Sequence, residues 1–186
     1  MHCITRSALI GLLAALVAVP AIAQSLTFSV DAVNGDLQAG AHLFGVLPDA
    51  ELGLDAHDVP EPPPPPSDYL TLALRMPVAS DPWPNRWHHE FRPVAVLDDD
   101  VELWELVLET DHPDEPVTVS VDLVTGDPSL AEVFLLTDAG RARMDFPTSL
   151  TLTPQAAETM LWIEVHALDP VGTQVRGFSE VKRLYR

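Results

Sequence analysis

Residues 117–123 read VTVSVDL: Val117, Val119, Val121 and Leu123 alternate with Thr118, Ser120 and Asp122. A period of two places the apolar side chains on one face of a strand and the polar ones on the other. The pattern recurs outward in both directions. Leu26, Phe28, Val30 and Ala32 alternate with Thr27, Ser29 and Asp31, and Leu70, Leu72, Leu74 and Met76 with Thr71, Ala73 and Arg75. Trp104, Leu106 and Leu108 stand against Glu105 and Glu109, and Leu161, Ile163 and Val165 against Trp162, Glu164 and His166. Fainter strands are read at Ala41 to Val46, Arg86 to Val94, Val133 to Thr137, Arg141 to Phe146 and Leu150 to Leu152.

Turn-forming groups separate these runs: Asn34-Gly35-Asp36, Asp98-Asp99-Asp100, His112-Pro113-Asp114, Gly126-Asp127-Pro128 and Asp138-Ala139-Gly140. Many short strands at such spacing point to a sandwich or barrel, and an antiparallel β-sandwich of about seven to nine strands is expected. Thr153-Pro154 opens the one helical hint, a single turn with Thr as cap and Pro at the first position. Leu72, Trp104, Val119, Val121 and Ile163 are expected in the core.

Residues 44–66, FGVLPDAELGLDAHDVPEPPPPP, pass from a strand end through an acidic loop into a five-proline run, with no room for a helix. Proline cannot donate to a sheet ladder, and a run of it rises about 3.1 Å per residue in an extended left-handed helix. Residues 60–66 therefore read as a stiff strap crossing from one sheet to the other.

The first 23 residues have the form of a secretory leader: Arg6 near the start, an apolar Ala8 to Val19, and Ala21-Ile22-Ala23 before Gln24. Cleavage there predicts a secreted chain, periplasmic or extracellular, with a single domain over residues 24–186. The apolar stretch is shorter than the roughly 20 residues of a spanning helix, so no transmembrane segment is expected. Cys3 is the one cysteine, and its removal with the leader leaves no thiol and no disulfide. Loss of Arg6 takes the formal charge from −18 to −19. Such a field disfavours nucleic acid and anionic lipid and favours cations and basic partners.

Phe44-Gly45, Pro48-Asp49-Ala50, Gly53-Leu54-Asp55, Asp58 and Pro60-Glu61-Pro62 with the prolines after it resemble a block of uncharacterised immunoglobulin-like, fibronectin III-like β-sandwich modules of exported bacterial proteins. The resemblance runs on through Asn85-Arg86-Trp87 and Arg92-Pro93 to the strands at Trp104, Val117 and Val133. It implies an immunoglobulin-like fold and extracellular placement, in architectures that often carry type IX secretion sorting domains. No such domain is read here, and Val181 to Tyr185 is expected as the last strand.

Asp49, Glu51, Asp55 and Asp58 place four carboxylates in one loop, the oxygen chemistry that Ca²⁺ takes. Calcium is the one cofactor the residues suggest, although the spacing is not that of an EF-hand and Asp also serves turns through its own backbone. Trp87-His88-His89-Glu90 holds zinc-ligand types, but adjacent strand residues point to opposite faces, so His88 and His89 should not converge. His42, His57, His112 and His166 read as surface or turn residues. Trp83, Trp87 and Trp162 are candidate aromatic platforms for a sugar or peptide, whereas Trp104 reads as core.

There is no GxSxG elbow, HExxH or other assembled catalytic motif in the chain. The function expected is a non-catalytic interaction or structural module meeting an extracellular or envelope protein or polysaccharide. A carbohydrate-binding module and a secreted hydrolase with dispersed catalytic residues are the alternatives.

Overall fold

The computed structural model describes residues 25–76, 85–94 and 101–168. The leader, Trp83, the turn at 98–100 and the expected strand at 181–185 lie outside them. The elements in chain order are β1 (Leu26–Asn34), β2 (Leu37–Leu47), β3 (Val59–Pro60), β4 (Leu70–Arg75), β5 (Trp87–Pro93), β6 (Val101–Thr110), β7 (Val117–Thr125), β8 (Ala131–Thr137), β9 (Gly140–Met144), β10 (Thr148–Leu152) and β11 (Glu158–Ala167). Among the described residues no helix is long and apolar enough to cross a membrane, which says nothing of strands.

The alternating runs become strands with their apolar faces inward. Leu26, Phe28, Val30 and Ala32 of β1, Leu72 and Leu74 of β4, Trp104, Leu106 and Leu108 of β6, Val117, Val119 and Val121 of β7, and Leu161, Ile163 and Val165 of β11 are buried in one core. Each fully buried Leu or Val in such a core contributes roughly 1.5–3 kcal/mol. Leu123 is only half-buried, where β7 leaves the core.

The strands form one hydrogen-bonded path, β10-β7-β1-β2-β5-β4-β6-β11-β8-β9, with β3 added on β5. Midway the path nearly breaks: β5 meets β4 at the single pair Leu74↔Trp87. There the sheet folds over, and its halves share one core, so that Phe44 of β2 lies 5.5 Å from Trp104 of β6. The end strands β9 and β10 are not paired with each other, yet the chain links them directly through residues 145–147. Phe146 in that link packs 5.5 Å from Phe28 and fills the gap, giving a nearly closed barrel.

These observations correct three expectations. The strands number eleven among the described residues, because each of the fainter runs read in the sequence, β9 and β10 included, forms a strand of its own and the two-residue β3, too short for a periodic signal, is added to them. The sheet is mixed, since β2 and β5 run parallel while the other pairs are antiparallel. Between β2 and β5 the chain makes the long excursion through the acidic loop, β3, the prolines and β4, and it is this return that permits a parallel pair. Residues 153–157 are irregular, with a bend at 155–157, rather than a helical turn; a short 3-10 turn lies at Pro128–Leu130, capped by the Asp127 carboxylate accepting from Ser129 N at 2.9 Å.

Gly45 allows the close approach of β1 and β2. Its φ is +145°, and a Cβ there would collide with the Leu26 carbonyl. The strap follows the same economy of space. Pro60 ends the edge strand β3, where a missing N–H is tolerated, and the prolines after it lead from β3 in one half of the sheet to β4 in the other.

Candidate functional site

The inner face of β2 continues past its apolar residues into a polar one: His42 is 1% exposed, in the alternation that buries Phe44 and Val46. The parallel register sets Glu90 beside Phe44 and Arg92 beside Val46, so the β5 residues on this face are His88, Glu90 and Arg92. A row of ionisable groups thus enters the barrel along the β2–β5 seam. Two clusters result.

The first is His42, Glu61 and His88. The His42 and His88 rings lie 4.3 Å apart between centroids. His42 Nε2 is 3.0 Å and His88 Nδ1 is 2.9 Å from one and the same oxygen, Glu61 Oε2. His42 Nδ1 is 2.6 Å from the Gly40 carbonyl. Glu61 is held by its backbone N–H donating to Arg86 O at 3.0 Å, directly after β3. Burial acts to raise the Glu61 carboxyl, but the hydrogen bond and charge of His42, then those of His88, outweigh it and hold the group below the usual carboxylate range. A cavity of about 300 Å³ lies against all three residues, and Pro62, Pro63 and Pro65 of the strap line it as well.

The second cluster is Glu90, Arg92 and Glu102. Arg92 Nε donates to Glu90 Oε1 at 2.8 Å, and Arg92 Nη2 is 2.7 Å from the same oxygen. Arg92 Nη1 donates to Leu103 O at 3.0 Å and pairs with Glu102. The guanidinium also sits 4.6 Å from the centre of the Trp104 ring. Burial pushes the Glu90 carboxyl up to about 7, against the opposing charge and hydrogen bond of Arg92. One guanidinium shared by two carboxylates cannot neutralise both, so the buried one protonates more readily. The trio forms the polar side of a mainly apolar cleft of about 300 Å³, completed by Leu52, Gly53, Met76 and Phe91.

The acidic loop lies beside that cleft, and its carboxylates are engaged by backbone. Asp55 accepts from Glu51 N at 2.7 Å and His57 N at 2.6 Å, while Asp58 accepts from Asp55 N at 2.9 Å and Phe91 N at 3.1 Å. Asp49 is within 3.5 Å of His57 only, at the surface. The loop is thus pinned to β5 by its own aspartates. Asp49, Glu51, Asp55 and Asp58 are not among the groups of three converging ligand residues found in the described residues, which are His42–Glu61–His88 and Asp68–Asp111–His112. In the latter group, which is largely exposed, Asp111 accepts from the N–H groups of Asp68 and Tyr69 and so staples a turn.

The aromatic candidates part company. Trp87 is buried in the core at 1% exposure and offers no platform: the register of β5 against β3 shifts between Trp87 and His89, so Trp87 turns inward beside Leu74 although His88, Glu90 and Arg92 lie on the inner face further on. Trp162 is half-buried on the outer face of β11 and lines a groove of about 740 Å³ with Thr137, Thr151 and Gln155. His42 is buried, contrary to the surface reading; a polar residue in phase with Phe44 and Val46 was the available signal. Glu61 gave no signal, being hidden in the proline run.

No family model, curated protein or solved structure matches this chain.

Proposed function

We propose that this chain is an exported, non-catalytic binding module, akin to the immunoglobulin-like modules of bacterial envelope proteins, and that its partner is a basic protein surface outside the cytoplasm. The leader-like first 23 residues and the formal charge of −18 support export and the choice of a basic partner. The observation that carries the reading is the cleft at the acidic loop. Leu52 is 75% exposed at its rim, and a sheet-mounted Arg92 between two carboxylates lies in its wall. An exposed apolar anchor ringed by acids and fixed to a rigid scaffold suits an apolar side chain set among basic ones.

Immobilised protein should retain such a partner from an envelope fraction at low salt, with retention falling as salt rises. Leu52→Asp should abolish retention without lowering the melting temperature. Equal retention by Leu52→Asp, or turnover of an envelope substrate that Glu90→Gln stops in a folded protein, overturns the reading; the latter outcome would restore the secreted hydrolase.

One observation favours a carbohydrate-binding version. Trp162 shares its groove with hydroxyl and amide side chains, the mixture that sugars meet by stacking and hydrogen bonding. Saturable quenching of tryptophan fluorescence by a glycan, lost in Trp162→Ala, supports that version. Quenching that persists in the variant removes it.

A further inference from the structure

We propose that His42, Glu61 and His88 form a binding site for a divalent transition-metal ion of the zinc class, seated beneath the proline strap. A carbonyl oxygen only accepts, so His42 Nδ1, 2.6 Å from Gly40 O, carries the hydrogen. A neutral imidazole has one N–H, which leaves the Nε2 lone pair facing the carboxylate oxygen of Glu61 at 3.0 Å. Two acceptors face each other at that distance only with a cation between them. A metal ion is one such cation, and it would draw the Nε2 lone pair and the carboxylate oxygen to one point.

Four features favour the metal. His88 Nδ1 converges on the same oxygen at 2.9 Å, so two imidazoles and one carboxylate aim at a common point, with all three ligand atoms within 4.8 Å of one another. Bonds of about 2.0–2.1 Å in a tetrahedral zinc site hold ligand atoms about 3.3 Å apart, so the cluster needs only a slight spreading. The Nδ1–H to carbonyl bond of His42 is the outer contact that orients ligating histidines and fixes their tautomer. Glu61 is anchored by its backbone bond to Arg86 O at 3.0 Å. The cavity of about 300 Å³ against the cluster leaves room for a fourth ligand, a water or a group of the partner. His89, expected on the opposite face of β5, instead packs its ring 4.8 Å from that of His88, where β5 is irregular against β3, but it is not one of the three converging ligands.

Zinc titration of the metal-stripped, purified chain against a chromophoric chelator tests the site, with circular dichroism confirming that each variant is folded. One zinc per chain is expected, with a melting temperature that climbs with free zinc. His88→Ala and Glu61→Gln should each weaken binding by at least the roughly tenfold that losing even an outer contact costs. His112→Ala, in the exposed Asp68–Asp111–His112 cluster, should bind like the parent. Cobalt(II) in the unmodified chain should show the visible absorption of a four-coordinate ion, a readout that needs no variant. The proposal is overturned by absence of stoichiometric zinc, by affinity unchanged in His88→Ala and Glu61→Gln, or by loss of zinc in His112→Ala. None of these results depends on the acidic-loop cleft, so the partner reading stands or falls separately.

Discussion

Glu90 is a carboxylate buried among apolar neighbours, with its one cationic partner shared by Glu102. Its folded pKa of about 7 lies above the ordinary 4.5, so between those values the folded state holds more protons than the unfolded one. Stability from this group is therefore present in full below about 4.5 and lost as pH rises to about 7, and Asp58, raised first by burial, adds a loss of the same sign. Glu90→Gln should flatten the decline in urea-unfolding free energy between pH 5 and 8, by up to roughly 3 kcal/mol at 1.36 kcal/mol per unit. A slope identical to that of the parent would show that Glu90 is ionised throughout. The residue scale is also where the sequence was hardest to read. Trp104 was legible as core because its strand alternates cleanly, whereas Trp87 lies in Trp87-His88-His89-Glu90, where no apolar period declares which face is inward.

At the scale of elements, β7 was the clearest reading: Val117, Val119 and Val121 are all buried, and Thr118 and Ser120 lie on the other face. Val121→Asp should cost on the order of 3–5 kcal/mol, because it buries a charge with no partner. An unchanged melting temperature would mean that the register of β7 between β1 and β10 is wrong. The acidic loop sets the opposite lesson. Four carboxylates close in sequence read as ligands, but Asp55 and Asp58 accept backbone N–H groups and so fasten the loop to itself and to β5. Millimolar Ca²⁺ and Mg²⁺ should accordingly shift the melting temperature equally, by screening. Asp55→Ala should cost about 1 kcal/mol with or without calcium, through the lost hydrogen bonds. A calcium-specific shift that Asp55→Ala removes would reinstate the loop as a calcium site.

For the whole molecule, the path from β10 to β9 predicts a gradient of local stability. Strands β1, β6 and β11 are paired on both sides and fully bury Phe28, Trp104 and Ile163 among others, while β9 and β10 are ends of the path and β3 is two residues long. Amide hydrogen exchange should be slowest in β1, β6 and β11 and fastest in β3, β9 and β10, since edge amides open without global unfolding. Protection of β10 equal to that of β6 would imply that the barrel closes through a further pair. The sequence by itself determined the class of this protein and most of its strands. Period-two burial is a local property, and Asn34-Gly35, Asp138-Ala139 and their like mark the chain reversals within a few residues. Only the tertiary structure decided the rest: the parallel pairing of β2 with β5, the folding of one sheet at the Leu74–Trp87 contact, and the meeting of His42, Glu61 and His88. Those three residues come from separate strands and the strap, and no local pattern records which distant residue will share a carboxylate oxygen. That is settled by the global register, which places His42 and His88 side by side and lays Glu61 across both.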